Sequence, residues 1–261
     1  MNVERAGVVL RERSLSEVMD LALRFVFGLA PRTFARLGLA VLAPALAATL
    51  AARWLLDLGW FWVWLLAVAL GGFLQGAFTI AAGRVMFSDA VSTKEAVLEL
   101  LRRSIPYSVA LVLSRAFILL GALFIVTLPF AWMRMLYVHE AVLLERAAGV
   151  EALRRSNRFV AHHARNAFGI LLSFWVAIAM SIATAELFGQ AFVSFVLQSG
   201  EPFSLLRDGG SPYALAGWFT SVPFVATARF LTYIDTRTRR DGWDIQIRFI
   251  AIEAAAAERH A

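Results

Sequence analysis

Residues 59–83 read GWFWVWLLAVALGGFLQGAFTIAAG and contain no charged side chain. A helix needs about 20 mainly apolar residues to cross a hydrocarbon layer of about 30 Å. The stretch opens with aromatic residues of the kind that anchor helices at the membrane–water interface: Trp60, Phe61, Trp62 and Trp64. It therefore predicts a transmembrane helix.

The composition of the whole chain supports the same interpretation. Of its 261 residues, 60% are hydrophobic and 17% are charged, and the mean hydropathy is +0.68. Soluble domains contain about 45–50% apolar and about 25% charged residues. A soluble protein of this length could not bury so much apolar surface in one core. We predict an all-α, polytopic integral membrane helix bundle with the lipid bilayer as its surroundings.

The net charge of +6 and the absence of cysteine exclude several classes of function. A basic soluble protein would suggest a nucleic-acid partner, but basic residues that flank apolar spans set membrane topology and contact anionic lipid headgroups. We therefore expect no nucleic-acid partner. Without cysteine there can be no disulfide, thiol catalysis, iron–sulfur cluster or cysteine zinc site. The absence of cysteine also leaves the redox state of the protein's compartment undetermined.

Three further apolar stretches lie before and after the first, whereas the N-terminal segment carries more charge than any of them. Crossings are predicted at 37–53, 166–188 and 212–233. Residues 14–30 have a helical period but too many charges to cross, so we expect an interfacial amphipathic helix capped by Ser14 or Ser16. No apolar core follows the early arginines, so we expect the N-terminus to stay attached and cytoplasmic.

The distribution of basic residues predicts the topology. Segments 1–36, 84–106, 134–166 and 229–261 hold six, four, six and six of them, which is 22 of the 25. Short segments rich in Arg and Lys stay in the cytoplasm. All four segments are therefore predicted on one side of the inner membrane, with both termini cytoplasmic. The domain division that follows is a cytoplasmic segment 1–36, a single transmembrane domain 37–234 and a cytoplasmic tail 235–261.

This topology constrains residues 106–136, which lie between two cytoplasmic segments. One straight helix of that length would reach about 45 Å, well beyond the apolar core. The stretch must leave and return, either as two short crossings or as a re-entrant hairpin turning around Gly121–Thr127. The total is about six passes, or four crossings plus the hairpin, which the charge rule favours over five crossings. Arg115 would then face the bundle interior or a wet cavity.

Two charged clusters, 140–160 and 229–244, are predicted at the cytoplasmic interface, where Glu145 or Asp235 could pair with Arg154, Arg155 or Arg237. They anchor the topology or form a docking surface for a cytoplasmic partner or lipid headgroups. The predicted docking or ion-pair residues are Glu145, Arg154, Arg155, Tyr233, Asp235, Arg237, Arg239, Asp241, Gly242 and Asp244. A metal site of His139, Glu140 and His162 is conceivable, but no catalytic motif, cofactor site or standard metal spacing occurs.

The last cluster carries a resemblance to a known family. Its closing pattern is met by Tyr233, Asp235, Arg237, Arg239, Asp241, Gly242 and Asp244. Together with the helix interrupted at Pro129, Glu145 and the turn Ala152–Ser156, this resembles the membrane domain of bacterial glycerophosphoryl diester phosphodiesterases and its stand-alone relatives. The resemblance implies a fold and a membrane location. It implies no activity, because in those enzymes the activity belongs to a separate barrel domain that this chain lacks.

Three functions remain as hypotheses. The first is a non-enzymatic scaffold or accessory subunit of a membrane complex, with a cytoplasmic protein partner and a possible homo-oligomeric state. The second is a small permease or channel subunit for an anionic substrate, with Arg115 and the hairpin 106–136 on its path. The third and weakest is a membrane enzyme acting on lipid phosphodiesters, against which the lack of a convergent carboxylate or histidine set argues.

Overall fold

The computed structural model describes residues 13–87, 92–161, 164–198 and 203–241, and in these ranges every regular element is helical. The eleven α-helices of this part of the chain are α1 (Leu15–Arg24), α2 (Pro31–Trp54), α3 (Trp60–Phe87), α4 (Thr93–Arg102), α5 (Ser104–Ala122), α6 (Leu128–Arg134), α7 (Val138–Leu143), α8 (Gly149–Ala161), α9 (Ala164–Ala191), α10 (Leu205–Asp208) and α11 (Pro212–Asp241). Phe25–Leu29 and Phe192–Leu197 are π-helical, and Ile125–Thr127 is a 3-10 turn.

Within the described ranges, five helical segments are long and apolar enough to cross a membrane. They are Pro31–Trp54, Trp60–Met86, Ser104–Ala122, Asn166–Leu197 and Pro212–Thr238. The all-helical class is thus confirmed for the described residues, and the five helices indicate a multi-pass membrane protein. Large apolar side chains on their outer faces are exposed, as lipid-facing residues would be, among them Leu39, Val112, Leu119, Val176 and Phe188.

Helix α1 begins with the predicted capping residue and packs against the bundle. Ser14 is its N-cap, and Glu17 closes a capping box with it, which satisfies two backbone N–H groups at the helix start. Val18 and Ala22 are buried where α1 contacts α11. The backbone N–H of Arg13 donates to Asp235 on α11 over 3.0 Å. The amphipathic face is therefore covered by protein.

The arginine-rich segments meet at one end of the bundle, which we call the arginine-rich end. Arg84, near the end of α3, pairs with Glu95 and Glu99 of α4. Arg103 donates to the Leu143 carbonyl, which joins the start of α5 to the end of α7. Contacts of α1 and α8 with α11 bring the first and last segments to the same end. The opposite end holds the α2–α3 link, where Trp64 donates to the Gly209 carbonyl.

The stretch between α5 and α8 doubles back. Helix α5 spans 19 residues, about 28 Å, and ends at Ala122. After the turn, α6 packs against α5, and Gly121 leaves room for the close approach of Ala131. Because Arg103 contacts the Leu143 carbonyl, the chain returns to the end from which it left. Pro129 lies in the first turn of α6, where its missing N–H costs nothing, so it starts a helix and does not interrupt one.

The two predicted domain boundaries do not coincide with the ends of the observed helices. Helix α2 begins at Pro31, six residues before the predicted crossing, because proline suits a first helical turn and because Arg32 and Arg36 are exposed. Helix α11 runs unbroken to Asp241, so no break in secondary structure marks residue 234. The expected extended stretch 243–250 lies outside the described residues.

Candidate functional site

Four residues of the predicted docking set form one cluster, which we call the charged network: Glu145, Arg155, Tyr233 and Arg237. Arg155 on α8 donates to Glu145 Oε2 over 2.8 Å, and Arg237 on α11 donates to Glu145 Oε1 over 3.3 Å. The Tyr233 hydroxyl donates to Glu145 and accepts from Arg237 over 2.9 Å. Glu145 follows α7, so its carboxylate joins three elements at the arginine-rich end.

The charged network positions the exposed face of α8. The hydrogen bonds that Arg155 donates to Glu145 and then to Glu151 raise the pKa of its guanidinium above the ordinary value. Glu151 also accepts from Arg158 over 3.0 Å, and the Arg158 side chain is 62% exposed. Arg154 is exposed and has no ion pair with any residue in the described ranges. Helix α8 therefore presents fixed positive charge at the surface.

The remaining predicted residues are placed as follows. Asp235 is partly buried and accepts the bond from the Arg13 backbone. The backbone of Arg239 and Asp241 continues α11. Gly242, Asp244 and His162 lie outside the described residues, so the conceivable metal site that includes His162 stays a prediction. No cluster of three or more metal-ligating side chains occurs within the part of the chain that the structure describes.

A second cluster, which we call the polar centre, lies inside the bundle and consists of Gln75, Tyr107, Arg115, His139, Glu140 and Arg229. Arg229 Nε donates to Glu140 Oε1 over 2.9 Å, and Arg229 Nη1 donates to Gln75 Oε1 over 2.6 Å. The Arg229 and Glu140 side chains are 6% and 0% exposed. Arg229 Nη2 and Glu140 Oε2 have no hydrogen-bond partner among the described residues.

On the other side of the polar centre, Tyr107 links α5 to α3 and α7. Its hydroxyl shares a 2.6 Å hydrogen bond with His139 Nδ1 and donates to the Gly72 carbonyl over 3.3 Å. Both side chains are buried, and their rings meet edge to face. Four helices thus contribute polar groups: α3, α5, α7 and α11.

Arg115, the remaining member of the polar centre, lies about halfway along α5. It is the twelfth residue of α5, about 16 Å along the helix from Ser104. Its Nη2 approaches α3 so closely that a methyl group added at Gly72 would lie 3.4 Å away. No ion pair or hydrogen bond joins its guanidinium to a residue in the described ranges. The side chain is partly buried, and its guanidinium lies against α3 beside Gly72.

The polar centre corrects one prediction. Glu140 and Arg229 were grouped with the interfacial charges, but both are buried inside the bundle. Sequence clustering failed here because all six residues of α7 and residues 225–234 of α11 are buried, so Glu140 and Arg229 lie inside the bundle whichever way they point. The signals available were an isolated Gln75 in a crossing and an Arg229 well before the arginines that end α11.

At the end of the bundle opposite the arginine-rich end, a third carboxylate, that of Glu186, joins separate parts of the chain. Glu186 on α9 is buried and accepts hydrogen bonds from Gln190 and from the Leu205 backbone N–H, both over 2.7 Å. The Ser211 hydroxyl also donates to it. These bonds hold residues 203–211, which precede α11, against the bundle, and their role is structural.

No protein-family model, curated protein or solved structure gives a significant match to this chain.

Proposed function

We propose that this chain is a non-enzymatic protein of the inner membrane that acts as a scaffold or accessory subunit of a membrane complex. The observation that carries the proposal is Glu145 joining α8 to α11, since it presents the charged outer face of α8 in one orientation. A rigid charged helix suits recognition of a partner because little conformational freedom is lost on binding. The partner is a cytoplasmic protein with an acidic surface opposite Arg154 and Arg158.

The membrane arrangement belongs to the same proposal. The chain makes six passes: the five long helices and the broken return through α6 and α7. An even number of passes puts both termini on one side of the membrane, and the meeting of four arginine-rich segments at one end favours the cytoplasm as that side. Arginines at that end would contact anionic headgroups, and lipid-facing helices leave room for a homo-oligomer. The resemblance to the phosphodiesterase membrane domain remains part of this proposal.

The proposal is tested by site-specific photo-crosslinking of the full chain in native membranes. A crosslinker at Asn157, an exposed position one turn after Arg154 on α8, should capture one recurrent protein, and a crosslinker at Leu206, at the opposite end, should not. Charge reversal by Arg154→Glu with Arg158→Glu should abolish that capture, whereas Arg102→Glu, an exposed arginine of α4, should leave it intact. A chain that always isolates alone, or capture unchanged by the reversal, would contradict docking through α8.

A second function is favoured by one observation, the unpaired Arg115 at half-height in a membrane-crossing helix. Ionisable residues at such a depth commonly line substrate paths. A small permease or channel subunit for an anionic substrate would use the polar centre as its path. The test is anion flux into proteoliposomes, which should fall at least tenfold in Arg115→Ala. Flux that this variant leaves unchanged would remove the idea.

A further inference from the structure

The polar centre contains more positive than negative charge. Arg115 and Arg229 stay protonated in proteins, and Glu140 is the single carboxylate among the six side chains. That carboxylate is already bonded to Arg229. One positive charge is therefore left over, and it lies in helices that are long and apolar enough to cross a membrane. An uncompensated charge in such surroundings is costly unless a counter-ion neutralises it.

The two guanidinium groups reach the same face of α3. Arg115 Nη2 approaches Gly72, and Arg229 Nη1 donates to Gln75. Residues three apart on a helix are neighbours on one face, about 5 Å apart. The two arginines are also close enough for their charges to interact. They come from α5 and α11, so their approach is set by tertiary packing.

Both guanidinium groups have donors to spare. Arg229 Nη2 is buried without a partner among the described residues, and the Arg115 guanidinium forms no bond to any of them. Because Gly72 has no side chain, the Arg115 guanidinium can lie against α3, where an added methyl group would be 3.4 Å from its Nη2. Arg115 is only partly buried, whereas the Arg229 side chain is 6% exposed, so Arg115 is the more accessible of the two guanidinium groups.

We propose that Arg115 and Arg229 bind a small oxyanion of the phosphate class at the polar centre. The planar guanidinium fork matches the spacing of oxyanion oxygens and can bind them in a bidentate manner. The Tyr107 hydroxyl, which donates to the Gly72 carbonyl, and the Gln75 amide, which accepts from Arg229, are neutral groups that could add a hydrogen bond. Binding compensates the excess positive charge. The inference does not rest on the docking function, and it needs no transport, although the second function proposed above would need this site.

The experiment measures ligand-induced stabilisation of the full chain, purified in a non-ionic detergent without phosphate. Inorganic phosphate is titrated at constant pH and ionic strength, with sodium chloride as the reference salt. We expect a saturable rise in Tm of about 5 °C at a hundredfold excess over Kd. Arg115→Gln should weaken binding at least tenfold, and Arg102→Gln, the matched exposed control, should leave it unchanged.

A second measurement separates ligand binding from a structural role. Without phosphate, Arg115→Gln should be as stable as the parent chain or more so, since it removes an unpaired cation. A structural arginine would instead leave the variant less stable at every phosphate concentration. Arg115→Lys should bind more weakly than the parent because it keeps the charge and loses the fork.

A parallel titration with short-chain phosphatidylglycerol identifies the source of the phosphate group. Stabilisation by inorganic phosphate assigns the site to a free oxyanion, and stabilisation by the lipid alone, lost in Arg115→Gln, assigns it to a headgroup phosphate. Both results support the site. The proposal is overturned if neither compound stabilises the chain beyond sodium chloride, or if Arg115→Gln responds as the parent does.

Discussion

Arg229 Nε donates a 2.9 Å hydrogen bond to Glu140 Oε1 across 89 residues of chain, and both side chains are buried inside the bundle. The bond ties α11, the longest helix, to the short helix α7 of the returning arm. A buried charge pair contributes little net stability, since desolvation offsets attraction, but the loss of one partner leaves the other charge buried and unpaired. The pair thus holds α7, whose six residues are all buried, against α11.

The first prediction concerns this pair. Glu140→Met should lower the free energy of unfolding by about 3–5 kcal/mol, because Arg229 would lose its carboxylate partner. The double variant Glu140→Met with Arg229→Met should lose clearly less than the sum of the two single variants. Titration with sodium dodecyl sulfate measures the differences. Additive losses would mean that the two charges do not interact.

The second prediction concerns the charged network. Glu145→Ala removes the acceptor of Arg155, Tyr233 and Arg237 at once, and it should cost about 1–3 kcal/mol of unfolding free energy. Amide hydrogen exchange in α8 should quicken, since α8 would lose its bond to Glu145. Arg102→Ala, at an exposed site of α4, should change stability by no more than about 0.5 kcal/mol. Unchanged exchange in α8 would show that Glu145 does not hold it.

The third prediction concerns the contact between α9 and α11. A methyl group at Gly217 would lie 2.6 Å from Ile182 Cα and 2.7 Å from the Ser181 carbonyl oxygen, both backbone atoms that cannot move alone. Gly217→Ala should therefore destabilise the chain by about 1–3 kcal/mol.

The matched control for that substitution is Gly38→Ala in α2, where the nearest atom would be Leu42 Cδ1 at 3.9 Å. With space available, alanine should be neutral or stabilise by up to about 1 kcal/mol through its helix propensity. The comparison is made by thermal unfolding in one detergent. Equal effects at both sites would contradict the close packing of α9 on α11.

The fourth prediction concerns topology. Because the chain contains no cysteine, each introduced cysteine is unique. Lys94→Cys and Arg154→Cys should react with an impermeant maleimide from the cytoplasmic face, and Leu206→Cys from the other face. Ile125→Cys, at the hairpin turn, should resemble Leu206→Cys if α5 crosses fully. Labelling of positions 94 and 154 from opposite faces would refute the hairpin.

The sequence was most informative where one physical signal dominates. Long uncharged runs predicted the crossings, since each must satisfy its backbone inside the helix and expose apolar side chains to lipid. Ser14 and Glu17 predicted the start of α1 because a capping box depends on local spacing alone. The turn near Gly121–Thr127 was predicted from arginine counts, and the chain does turn there.

The sequence was least informative about partners. Glu145 was proposed as an ion-pair residue, but its choice of Arg155 and Arg237 over Arg154 depends on which face α8 turns toward α11. Glu140 and Arg229 were assigned to the cytoplasmic interface, although both lie inside the bundle. The clustering of charges along the chain does not show whether a given side chain lies inside the bundle or at its interface.

The sequence by itself determined the helical class and the approximate positions of the long apolar helices, and it predicted that the arginine-rich segments share one end, because hydrophobic length and charge distribution act locally along the chain. The tertiary structure alone decided that Gly72 and Gln75 receive Arg115 and Arg229, and that Glu140 meets only one of these cations. Those contacts join residues up to 154 positions apart. Their geometry depends on how four helices rotate and pack against one another, which no local pattern encodes.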